Sequence, residues 1–201
     1  DYADCIVCTT LNTNEDAYHY KDYGASYFNG NFILTGVLNT TAFATGSSTM
    51  LTLLSLMNTI NDGNNTDDKQ CVALDYVSAS TYTLKLREVT GTNGYNSSSS
   101  STLNTNQPYW IKEWRDTSVG TYGTLYLAIY NDQTMLSQVG STLSLALHDN
   151  GTPLEPFVPS REEHQERLCS SLLSGNSVGN SVLALEEYRI NRPDRIRPKN
   201  L

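Results

Sequence analysis

Apolar and polar residues alternate with period two along several stretches of this chain, most cleanly between Tyr109 and Leu147. Leu125, Leu127 and Ile129 alternate with Tyr126, Ala128 and Tyr130. Leu143, Leu145 and Leu147 alternate with Ser144 and Ala146. Successive side chains of a strand point to opposite faces, so each run presents one apolar face. A third strand is predicted at Tyr109–Trp114, and turn chemistry fills the gaps at Asp116–Gly123 and Asn131-Asp132-Gln133. Three such strands make an antiparallel meander. Its leucine face needs a cover, most simply a second sheet.

The rest of the chain extends this pattern. Asn31–Asn39 carries Phe32, Leu34 and Leu38 on one face and Ile33 and Val37 on the other, as a buried central strand would. Cys71–Val77 and Tyr82–Val89 read as a hairpin, with Val72, Leu74, Tyr76, Leu84 and Leu86 facing in and Lys85 and Arg87 facing out. Asp16–Asp22 reads as a strand. Ser48–Ile60 is apolar nearly throughout, and its Ser and Thr favour strand over helix. Residues 61–69 form a polar loop whose aspartates miss the calcium-loop spacing. Residues 91–107, with a run of five serines, read as an exposed loop or weak edge strand. Three prolines within 150–159 bar a continuous element there. Ser160–Glu163 matches a capping box, a local signal for helix over 161–168. Ser181–Ile190 reads as a strand or short helix. The prediction is an all-β, antiparallel two-sheet sandwich over residues 1–190, followed by an extended basic tail, 191–201.

Composition agrees with one β domain: 201 residues, 38% hydrophobic, is enough for a real core. A net charge of -8 repels phosphate backbones, so nucleic acid is not an expected partner. The charge is uneven. Residues 189–201 hold five basic groups (Arg189, Arg192, Arg195, Arg197, Lys199) against Asp194, while residues 1–188 hold 8 basic and 20 acidic groups. The tail basics Arg192, Arg195, Arg197 and Lys199 are candidates for anchoring to an acidic partner through a salt-sensitive contact. No run approaches the roughly 18 apolar residues of a membrane span. The chain opens on Asp1 without a visible signal peptide, which fits either a removed leader or a start within a longer product.

Cys5-x-x-Cys8 lacks the second ligand pair of a zinc site and the βαβ context of a redox motif. A disulfide, local or long-range, or buried thiols remain as its readings. Four sequons stand at Asn39, Asn64, Asn96 and Asn150, the last three in segments read as loops. No cofactor is implied.

Asn14-Glu15-Asp16-Ala17-Tyr18, then Tyr20-Lys21-Asp22-Tyr23-Gly24, resembles the opening of concanavalin A-like (laminin G-like) domains. Such domains are common in bacteriophage virion and secreted proteins. Tyr109–Lys112 with Arg115-Asp116, followed by Gly123–Leu127 and Ile129–Asp132, resembles their central hairpin; Ser141–Leu145 resembles the next strand. Ser174-Gly175-Asn176 and the run to Ile190 resemble the closing strand, which the resemblance places beside the first. The resemblance covers about residues 12–190 and implies a concanavalin A-like jelly roll. It also implies a strand around 165–173, where the chain carries the polar His164–Ser171 and the capping box points to helix.

Three functions are weighed. Glucanases of this shape carry a Glu-x-Asp-x-Glu run that lines one strand face with carboxylates. None occurs here, and Glu186-Glu187 point to opposite faces, so the expectation is a non-enzyme. A lectin-like carbohydrate-binding adhesion module is the alternative: Trp110, Trp114, Tyr126 and Tyr130 fall opposite the leucine face, where they form an aromatic platform for sugar rings. The favoured expectation is a structural or interaction module on a virion or extracellular surface, with other protein subunits as partners.

Overall fold

The structure is a computed structural model that describes residues 28, 30–41, 50–57, 69–91 and 93–148. Among these the protein is all-β. Its strands are β1 (Phe32–Leu38), β2 (Met50–Met57), β3 (Lys69–Ser78), β4 (Thr81–Thr90), β5 (Asn93–Asn96), β6 (Leu103–Asn104), β7 (Tyr109–Asp116), β8 (Thr124–Tyr130) and β9 (Leu143–Ala146). They form two antiparallel sheets. The first runs β1-β7-β8-β9, and the second runs β2-β3-β4-β5 with β6 also on β4.

The predicted alternation sets the packing. Buried and half-buried residues alternate along the whole of β7, and Leu143 and Leu145 of β9 alternate with exposed Ser144 and Ala146. Leu125 and Leu127 face Leu145 and Leu143 across β8 and β9. In the other sheet, Leu54 pairs with Val72, and Val72 and Leu74 pair with Leu86 and Leu84. These residues form one apolar cluster. Full burial of each such side chain is worth roughly 1.5–3 kcal/mol. A register shift between Thr52 and Leu54 lets Leu53 and Leu54 both be buried, as a bulge permits. Ser48–Ile60 therefore contains a strand, as its Ser and Thr suggested.

The serine run is ordered by hydrogen bonding, which its low complexity concealed. The Ser97 and Ser100 amides donate to the Leu86 and Leu84 carbonyls (2.9 and 2.8 Å). Their hydroxyls in turn accept the Leu86 and Leu84 amides, both at 2.9 Å. Serine side chains thus complete a ladder that β5 and β6 only begin and end, and Leu103, fully buried, pins the segment to the core. Asn96 accordingly lies at the end of β5 and not in a loop, though its side chain is exposed.

The connection from β8 to β9 is also more than a three-residue turn. It covers residues 131–142 and is organised by Asp132. The Asp132 carboxylate accepts from the Thr134 hydroxyl and from the Ser137 amide (2.7 Å), and the Val139 amide returns to Ile129 (2.7 Å). These hydrogen bonds hold the Asp132 carboxyl below its ordinary pKa.

Several expectations lie outside the described residues. They are the 16–22 strand, the helix or strand over 161–173, the 181–190 strand, Cys5, Cys8, Asn64 and Asn150. The tail with Arg192, Arg195, Arg197 and Lys199 lies outside them too.

Candidate functional site

The face of the first sheet that points away from the core is built by the even positions of β7 and β8. Trp110 pairs with Tyr130, Lys112 with Ala128, and Trp114 with Tyr126. All four predicted aromatic residues thus come together on one surface, in two cross-strand pairs. The Trp114 and Tyr126 rings stack at 5.1 Å between centroids and 13° between planes. Such a pair stabilises strand register while leaving part of each ring to solvent. Trp110, Trp114, Tyr126 and Tyr130 are all half-buried. Trp110 and Trp114 lie four residues apart, roughly 13 Å along the strand.

Lys112 stands between the two tryptophans, opposite the small Ala128. Its ammonium lies 5.4 Å from the Trp114 ring centroid, a cation–π contact. On the other flank, β1 sets Ile33 against Trp114, Thr35 against Lys112 and Val37 against Trp110. The surface is a strip of aromatic faces with one cation at its middle.

A second polar feature lies between the sheets, at one end of the sandwich. Glu88 of β4 and Glu113 of β7 are both 1% exposed, and Arg115 of β7 is also buried. One Glu88 oxygen accepts both the His148 amide (2.9 Å) and the His148 ring Nδ1 (3.1 Å). The His148 ring stacks on Tyr95 at 3.6 Å, which ties β4, β5 and the end of β9 together. The Arg115 guanidinium donates to the Tyr122 carbonyl (2.8 Å) and the Phe28 carbonyl (3.4 Å). Gly123, at φ +90°, lets the chain pass this group closely: a Cβ there would stand 3.2 Å from Arg115 Nε. Burial lowers the Arg115 pKa, and the Glu88 charge opposes that. Neither Glu113 oxygen has a hydrogen-bond partner, and burial pushes its pKa up to about 8. No cluster of metal-ligating side chains occurs among the described residues.

The four aromatic residues share one face of the sheet, and the sequence did not announce that Glu113 and Arg115 would be buried together with Glu88. The signal was present: Glu113 and Arg115 continue the inward positions of Tyr109 and Ile111. Of the sequons described, Asn96 is exposed, whereas Asn39 follows β1 half-buried, its side-chain oxygen enclosed without a hydrogen-bond partner.

No protein-family model matches the chain, and no curated protein matches it by sequence. Two solved structures are similar. One is the enzymatically active domain of tailspike protein 2 of bacteriophage CBA120, at 11% identity and a TM-score of 0.44, over 89% of this chain and 26% of that one. The other is full-length tailspike protein 2 from an Escherichia coli O157:H7 bacteriophage, at 12% identity and a TM-score of 0.42, over 87% of this chain and 21% of that one. The chain thus spans about a quarter of the length of each protein it is compared with. The expectation of a non-enzyme is corrected here. One of the similar structures is an enzymatically active domain, so a non-enzyme is not asserted of this chain.

Proposed function

We propose that this chain is an interaction module of a virion or other extracellular surface that binds carbohydrate through the outer face of β7 and β8. The observation that carries this reading is the convergence of Trp110, Trp114, Tyr126 and Tyr130, each half-buried, on one strip of the sheet's outer face. The apolar C–H face of a pyranose ring packs on such rings, and their spacing along the strand suits a short oligosaccharide. The sandwich itself is read as concanavalin A-like, on the strength of its residue resemblance and its two antiparallel sheets. The test is a glycan array followed by titration with the best binder. Trp114→Ala is expected to weaken binding at least tenfold with the fold intact by circular dichroism. Equal binding by that variant would refute the reading.

A second reading, contact with other protein subunits, is supported by the β8–β9 loop. That loop, held by Asp132, presents Leu136 with 86% of its surface exposed. A protein contact there would cover the Leu136 side chain. Light scattering on the wild type and on Leu136→Ser tests it; a loss of assembly in the variant is expected.

A further inference from the structure

The aromatic strip has a charge at its centre, and the surroundings of that charge identify the kind of sugar that fits. Lys112 makes its contact with the Trp114 ring and with no carboxylate among the described residues. The outer faces of β1, β7, β8 and β9 carry one other charged residue, Asp116, at the far end of β7. Asp116 is four positions from Lys112, roughly 13 Å along the strand and beyond the Debye length of about 8 Å at physiological salt. Its carboxylate is also engaged, accepting the Ser118 amide (2.9 Å) and hydroxyl (2.6 Å).

In a chain of net charge -8, a cation with no carboxylate partner among the described residues, in the middle of an apolar strip, is conspicuous. A Lys on such a sheet face can lean over an aromatic ring, as this one does, and still direct its ammonium outward. Ala128 opposite it is buried, so the polar group that a ligand would meet at this point of the strip is the Lys112 ammonium.

We propose that the strip selects acidic saccharides: a sugar ring stacks on Trp114 or Trp110 while its carboxylate meets the Lys112 ammonium. This rests on the carbohydrate-binding reading above and adds the ligand class to it. The charge-assisted contact supplies discrimination, and the aromatic faces supply the affinity that both acidic and neutral sugars share.

The experiment compares oligogalacturonate, alginate and polysialic acid oligomers, each with its carboxyl-reduced neutral counterpart. They are titrated calorimetrically into wild type, Lys112→Gln, Lys112→Arg and Trp114→Ala. At least one acidic member is expected to bind about five- to tenfold tighter than its neutral counterpart. Lys112→Gln removes that ratio and keeps the neutral affinity, and Lys112→Arg preserves it. Trp114→Ala weakens both members together. Raising the salt from 50 to 300 mM narrows the ratio. Equal binding of acidic and neutral members by the wild type would overturn the acidic preference and leave carbohydrate binding standing. A ratio that survives in Lys112→Gln would overturn the role of Lys112. No binding to any member, acidic or neutral, would overturn this inference and the carbohydrate-binding reading together.

Discussion

The two faces of β7 carry the same density of large side chains and opposite kinds of information. Outward, Trp110, Lys112 and Trp114 form the strip proposed to bind carbohydrate. Inward, Tyr109 and Ile111 join the apolar core, and then Glu113 and Arg115 follow on the same face, still buried. Alternation reports which residues share a face. It does not report when a core changes from apolar to polar, because that depends on what the opposite sheet supplies. Here β4 supplies Glu88, whose charge acts on Arg115, and the end of β9 brings His148. A polar residue at an inward position is therefore the place to search for an arrangement that pattern alone does not announce.

Four substitutions break or sharpen this contrast. The largest effect belongs to the inward face of β8. Leu127→Ala is expected to cost about 2–5 kcal/mol in urea denaturation, since Leu127 is fully buried. It should leave glycan affinity unchanged at temperatures where the protein is folded.

Glu113→Gln comes next, and its effect depends on pH. The native state holds the Glu113 proton to about pH 8, whereas the unfolded chain releases it near pH 4.5. Between these values the native state binds more protons, so stability falls as pH rises through that window. Below about pH 4.5 both states are protonated and the contribution is constant. Glu113→Gln should remove this slope and stabilise the protein by a few kcal/mol at pH 8 and above. Thermal unfolding from pH 4 to 9 checks it, and parallel curves for the two proteins would contradict it.

His148→Ala removes the ring contact to Glu88 and the stack on Tyr95 but keeps the backbone bond. About 1–2 kcal/mol is expected, from a buried carboxylate left with one partner fewer. Tyr126→Ala has the smallest cost in stability, about 0.5–1.5 kcal/mol for a lost aromatic pair. Its effect on glycan affinity should nevertheless match that of Trp114→Ala. Leu127 and Tyr126 are adjacent in sequence, and the account requires their variants to separate stability from binding.

Much of the fold was legible because strands write their faces into the sequence. The meander of β7, β8 and β9 and the β3–β4 hairpin follow from period two alone; β1, apolar on both faces and so expected at the centre of a sheet, stands at the end of its sheet among the described residues. The Ser97–Ser100 segment did not follow, because serine hydroxyls replaced backbone partners in a way that composition does not register. The β8–β9 loop was also misjudged in length, since Asp132 builds its turn from side-chain acceptors. The aromatic platform was legible as a set of even-numbered residues; its stacking and the placement of Lys112 at its centre needed the register of β7 against β8.

One measurement tests the central claim most directly. The chain has two tryptophans, Trp110 and Trp114, and both lie on the proposed binding face. Intrinsic tryptophan fluorescence during a glycan titration therefore reports on that face alone. The account predicts a saturable change in emission whose midpoint coincides with the calorimetric binding curve. Binding detected by calorimetry with unchanged tryptophan emission would place the site elsewhere and contradict it.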